Sequence, residues 1–117
     1  MKTFRDLVVW QRAIDFATSI YEVTSRFPSS EMYGLTNQLR RASVSVSSNI
    51  AEGSKRGSKK EFTHFLRIAQ GSLAEIETQL TIAKNLSFVT SDRSTELLNE
   101  LESITKMLTK LINTTKE

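Results

Sequence analysis

From Ser58 to Ala83 the chain reads SKKEFTHFLRIAQGSLAEIETQLTIA. Within it Phe62, Leu66, Ala69, Leu73, Ile76, Leu80 and Ala83 return every three or four residues. About seven turns of this spacing describe one apolar face of an α-helix roughly 40 Å long. The start is marked too. Ser58-Lys59-Lys60-Glu61 fits a capping box, in which serine and glutamate satisfy each other's free backbone N–H groups. A helix of about 59–86 is therefore the firmest element, and the remaining segments must pack against it.

Three further helices are predicted, at about 4–26, 31–52 and 92–114, in a single domain spanning 1–117. The first carries two apolar stripes, Leu7, Trp10, Ile14, Ala17, Tyr21 and Val9, Ala13, Phe16, Ile20, Val23. Together they are wider than a bundle core requires. Phe27-Pro28-Ser29-Ser30 ends it, because proline disfavours helical geometry in the preceding residue. Ser29 or Ser30 is then expected to cap the second helix. The fourth starts near Thr90 or Ser91 and runs through Leu97, Leu101, Ile104, Leu108 and Leu111.

The second segment is the ambiguous one. Its centre, ASVSVSS at 42–48, alternates with period two, as a half-buried strand does. Leu35, Leu39, Ala42, Val46, Asn49 and Ile50 nevertheless keep helical spacing, and a lone strand would find no second strand to pair with. Gly53 stands where a glycine ends a helix in the left-handed conformation. The segment is read as a helix of weak propensity, held by close packing around its small side chains. The fold class expected is all-α, an up-down-up-down four-helix bundle.

Composition narrows function mainly by exclusion. The 117 residues include no cysteine, one histidine, one proline and four glycines. Disulfides and thiolate metal sites are thereby excluded, and a Ser–His–Asp or Cys–His arrangement has no candidate residues around that histidine. The glycines form neither a phosphate-binding loop nor a dinucleotide fingerprint. Glu61-Phe62-Thr63-His64 has the E-x-x-H spacing of di-iron bundles, but those need two such motifs and two further glutamates. Glu61 is already assigned to a helix cap. No catalysis, metal or cofactor is expected. The opening MKTFRDLVVWQR has charges throughout, so no signal peptide is expected, and no run approaches the ~18 apolar residues of a membrane span. A cytoplasmic protein is the expectation.

The net charge of +3 is unevenly spread. Residues 37–67 hold Arg40, Arg41, Lys55, Arg56, Lys59, Lys60 and Arg67 against only Glu52 and Glu61, whereas the flanking segments are neutral or acidic. On a helix pair joined by a short turn, Lys55 to Lys60 gather at one tip, with Arg40 and Arg67 further down. That grouping suits salt-sensitive phosphate contacts with RNA or DNA; a solvated bundle end is the plainer reading. Asn49, Glu52, Ser72 and Glu75 are read as a polar network that fixes helix register, with Arg41 as its cation; a functional pocket is the alternative.

The sequence resembles a bacterial family at L-x-x-W-Q-x-A (Leu7, Trp10, Gln11, Ala13), at N-I-A-E-G (Asn49 to Gly53) and at G-S-L-A-E (Gly71 to Glu75). These are the four-helix-bundle proteins named for reading frames in intervening sequences of large-subunit ribosomal RNA genes. The accessory variability determinant of diversity-generating retroelements belongs with them. The resemblance covers almost the whole chain and implies a ring of five subunits with a positive surface. It also implies a non-enzymatic role, with nucleic acid and, in the accessory branch, a reverse transcriptase as partners. Two functions are carried forward: an oligomeric nucleic-acid-binding module, or a structural subunit whose partner is a protein.

Overall fold

The computed structural model describes residues 2–116 and contains four long helices: α1 Val8–Thr24, α2 Leu35–Ser54, α3 Lys59–Asn85 and α4 Ser91–Thr115. They alternate in direction within a body of 43 × 24 × 20 Å. The N-termini of α1 and α3 and the C-termini of α2 and α4 share one end, where the Thr63 hydroxyl donates to Thr115 Oγ1 at 2.8 Å. Short connections between neighbours produce this topology, since each helix finds its nearest partner in the next one.

One contiguous core runs along the axis. Val9, Ala13, Phe16 and Ile20 enter it from α1, and Leu39, Val46 and Ile50 from α2. The seven positions that defined the third helix mostly follow: Leu66, Ala69, Leu73, Ile76, Leu80 and Ala83 are buried, while Phe62 is half-buried at the helix start. Leu97, Leu101, Ile104, Leu108 and Ile112 complete it from α4. Each large aliphatic side chain so buried stabilises the fold by about 1.5–3 kcal/mol.

The ambiguous second segment is helical. Ser43, Val46, Ser47 and Ile50 are buried at three- and four-residue steps, while Val44 faces out, so the period-two alternation has no structural counterpart. The buried serine hydroxyls donate to their own helix, Ser43 to the Arg40 carbonyl at 2.9 Å and Ser47 to that of Val44 at 3.2 Å. Such back-bonding satisfies a small polar side chain without a partner from outside.

Helix ends differ from expectation in four places. Residues 4–6 form a separate 3₁₀ turn, closed by a full capping box between Thr3 and Asp6. The amides of Thr3 and Lys2 hold the Asp6 carboxyl below the ordinary carboxylate range. Neither Ser29 nor Ser30 caps α2; these residues lie in a 3₁₀ turn, and the Leu35 amide donates instead to Glu31 Oε1 at 3.2 Å. Gly53 is not a left-handed terminator, because α2 continues through it to Ser54 and the left-handed glycine is Gly57. Its role is steric. A Cβ there would lie 2.7 Å from Phe65 Cβ and 3.3 Å from the Phe62 carbonyl oxygen, so only glycine lets α3 come this near. At α3 only half of the expected capping box forms: the Glu61 amide donates to Ser58 Oγ at 3.1 Å, but among the described residues the Glu61 carboxylate accepts no bond from the Ser58 amide. Thr90 caps α4 in the same way.

Candidate nucleic-acid interface

The α2–α3 hairpin positions the cations. Ser72 Oγ donates to Ser45 Oγ at 2.9 Å and Gln79 Nε2 to Gln38 Oε1 at 3.4 Å, which sets an antiparallel register. With Gly53 against Phe62 and Phe65, that register brings Lys55, Arg56, Lys59 and Lys60 together around the turn at 55–58. All four are exposed. Among the described residues, no carboxylate lies within ion-pair distance of the three lysines. Arg56 packs on the Phe65 ring, 5.0 Å from its centroid, and approaches Glu52 at 3.9 Å. An exposed pair at that separation contributes little, so the guanidinium keeps its reach toward solvent.

A fifth cation joins them from the far end of the sequence. Lys116 lines one shallow hollow with Lys59, Lys60, Thr63 and Thr115. Sequence spacing gave no hint of it; only the return of α4 to this end of the bundle brings it there. Arg67 stands on the α3 face of Lys60 and His64, at i+7 from Lys60, and extends the positive surface about 10 Å along the helix.

Arg40 and Arg41 do not belong to this group. They lie about 20 Å from the turn and one residue apart on α2, hence some 100° apart around it. Arg40 turns to α1, where Nε donates to Thr24 Oγ1 at 2.9 Å and the guanidinium lies 4.7 Å from the Tyr21 ring centroid. Arg41 lies on the opposite side, in the groove between α2 and α3. The expected basic group therefore divides into a tip, an α1–α2 clamp and a groove arginine.

The expected polar network divides as well. Asn49 Nδ2 donates to Ser45 Oγ at 2.9 Å and to its carbonyl at 2.8 Å, so Asn49, Ser45 and Ser72 form a continuous chain across the two helices. Ser45 had not been anticipated, although its spacing from Asn49 and Arg41, four residues each way, puts all three on one helix face. Glu52 is exposed beside Arg56 and takes no part. Glu75 lines a polar groove of about 430 Å³ together with Arg41, Ser45, Ser72 and Gln79.

Two further features frame the site. The family-like residues of α1 lock the N-terminus, Gln11 Nε2 donating to the Arg5 carbonyl at 2.8 Å and Trp10 meeting Phe4 edge-on at 5.1 Å. Of its two apolar stripes, the one through Phe16 is buried, while Ile14 and Tyr21 in the other are 38% and 44% exposed. The surplus apolar width is real and faces outward. Among the described residues no three potential metal ligands converge, and no helix is long and apolar enough to cross a membrane.

The fold matches a crystal structure from Bacteroides thetaiotaomicron, a protein of unknown function from the S23 ribosomal protein family. The TM-score is 0.84 at 23% identity, covering 91% of this chain and 96% of that one. A comparison with curated proteins finds no match. Residues 5–110 match the family described as 23S rRNA-intervening sequence protein. With nearly the whole bundle inside that match, the chain belongs to the 23S rRNA-intervening sequence protein family.

Proposed function

We propose that this chain is a non-catalytic RNA-binding module that acts through the basic end of its bundle. The carrying observation is the convergence of Lys55, Arg56, Lys59 and Lys60 on one turn, joined there by Lys116. The exposed lysine ammonium groups without carboxylate partners, and a guanidinium only loosely paired with Glu52, gain most from phosphates, through release of the counterions condensed on the polyanion. The family's name links its members to intervening sequences of 23S rRNA, which makes structured RNA the first polyanion to test.

One such tip is a weak binder. The exposed Ile14 and Tyr21 stripe supports self-association, and a ring of five copies would present several tips to one RNA, so that weak contacts act together. Reversing charge with Arg56→Glu and Lys59→Glu is expected to abolish RNA retention at low salt and to leave helicity by circular dichroism unchanged. Full retention by this double variant overturns the reading.

The same exposed stripe favours a second reading, a structural subunit that docks a protein such as a reverse transcriptase through α1. Retention of that partner would then resist salt and be lost with Tyr21→Glu.

A further inference from the structure

The chain has one histidine, and the bundle places it on the positive surface. His64 is exposed on α3, four residues after Lys60 and three before Arg67. Residues at those spacings are neighbours on one helix face, so the imidazole stands between a lysine and an arginine. The residues beside it fix its direction. Phe62 and Phe65 turn to α2, where they meet Gly53, and Thr63 turns to α4, where it meets Thr115. Leu66 enters the core. His64 takes the remaining, outward side.

The charged groups around that side are mostly cations. On α3 they are Lys60, Glu61 and Arg67. From α2 comes Arg56, stacked on Phe65 with Glu52 beside it, and from α4 comes Lys116, which shares a hollow with Thr63. Glu61, three residues before His64, is the carboxylate best placed to pair with it. Among the described residues, however, no carboxylate lies within ion-pair distance of the imidazole. A proton on this ring adds to the repulsion among cations, and an outside anion relieves it. Lysine and arginine hold their charge at all physiological pH values, whereas a histidine ordinarily changes charge between pH 5 and 8. With no cysteine in the chain, His64 is the side chain that can alter the charge of this surface within that window.

We propose that His64 is a proton-gated phosphate ligand of the RNA surface. Protonated, it adds one contact between those of Lys60 and Arg67; neutral, it displaces no counterion from the RNA. The site rests on the RNA-binding reading and extends it along α3, with tighter retention as the pH falls.

Affinity for a structured RNA between about 50 and 200 mM salt, measured at about pH 8 and pH 5.5, reads this contact. In the wild type the slope of log affinity against log salt should steepen by about 0.7–0.9 on acidification, the value of one phosphate contact. The acid-induced gain in affinity should then be about threefold larger at the lower salt than at the higher. His64→Gln should keep one slope at both pH values, and His64→Lys should keep the steep slope at both. All three proteins should share one helix content by circular dichroism, because the side chain is exposed. A terminal α-amino group also titrates in this window, and whatever small response survives in His64→Gln belongs to it. A steepening undiminished in His64→Gln, or a wild-type slope that ignores pH, overturns the proposal. The RNA-binding reading then still stands, because RNA is retained with a salt slope. Absence of any salt slope at both pH values ends that reading, and the proposal with it.

Discussion

Two helix seams of this bundle are built on opposite principles. Along α2–α3 the side chains are small, and at Gly53 the helices come so close that a single Cβ would collide with Phe65. Along α1–α4 a cleft lined by Asp15, Phe16, Ser19 and Leu97 separates the helices, and one charged contact spans it. There Arg12 Nε and Nη2 donate to the two Glu100 oxygens at 2.7 and 2.8 Å, and Nη2 also reaches Ser103 Oγ at 3.2 Å. Close backbone approach shapes the first seam, whereas the second rests on core side chains from α1 and α4 and is bridged at its surface by a two-pronged ion pair. The tight seam carries the basic tip and the groove; the looser one closes the bundle.

The largest effect expected from this contrast is at Gly53. Gly53→Val forces bulk into backbone-level contact and should destabilise the fold by about 3 kcal/mol, measured by urea unfolding. By splaying the hairpin it should also weaken RNA retention, although no cation is changed. A neutral outcome would mean that α2 and α3 have slack, and the contrast between the seams would be lost.

A smaller effect belongs to Glu100. The hydrogen-bonded Arg12 guanidinium holds its carboxyl below the ordinary carboxylate range, and the same contact raises Arg12. A depressed folded pKa contributes stability that is complete above the unfolded value of about 4.3 and fades as pH falls through the lower folded value. Wild type should therefore lose melting temperature between about pH 5 and 3 more steeply than Glu100→Gln. Parallel slopes would show that the pair is too solvated to matter.

The smallest effect sharpens the comparison from the other side. Gly71 lies within α3, like Gly53 within α2, yet a Cβ there meets nothing within 4 Å. Gly71→Ala should raise stability by about 0.5–1 kcal/mol through helix propensity alone. Opposite signs at two helical glycines would locate the close approach at the turn end of the seam.

Much of this architecture can be read from residue spacing, and the exceptions have physical causes. Periodicity from Phe62 to Ala83 finds α3 because one face of it is buried throughout, and Ser58 finds its start because capping is local. Gly53 misleads because glycine serves two purposes, left-handed turns and close contacts, and spacing cannot separate them. The cations misled through geometry: Arg40 and Arg41 adjoin in sequence but diverge around the helix, whereas Lys116 joins Lys59 and Lys60 only through the fold. The 100° step between neighbouring residues was available to part the two arginines. Ser45 shows the same lesson, a modest residue whose place between Arg41 and Asn49 makes it the link to Ser72.

The central claim is that phosphates, not a protein surface, meet the 55–60 turn. Affinity for a structured RNA, measured against salt from about 50 to 200 mM, addresses it directly. Wild type should show a linear fall of log affinity with log salt, and the slope should flatten in the Arg56→Glu/Lys59→Glu variant as phosphate contacts disappear. An affinity indifferent to salt, or a slope that the double variant leaves unchanged, would contradict the account.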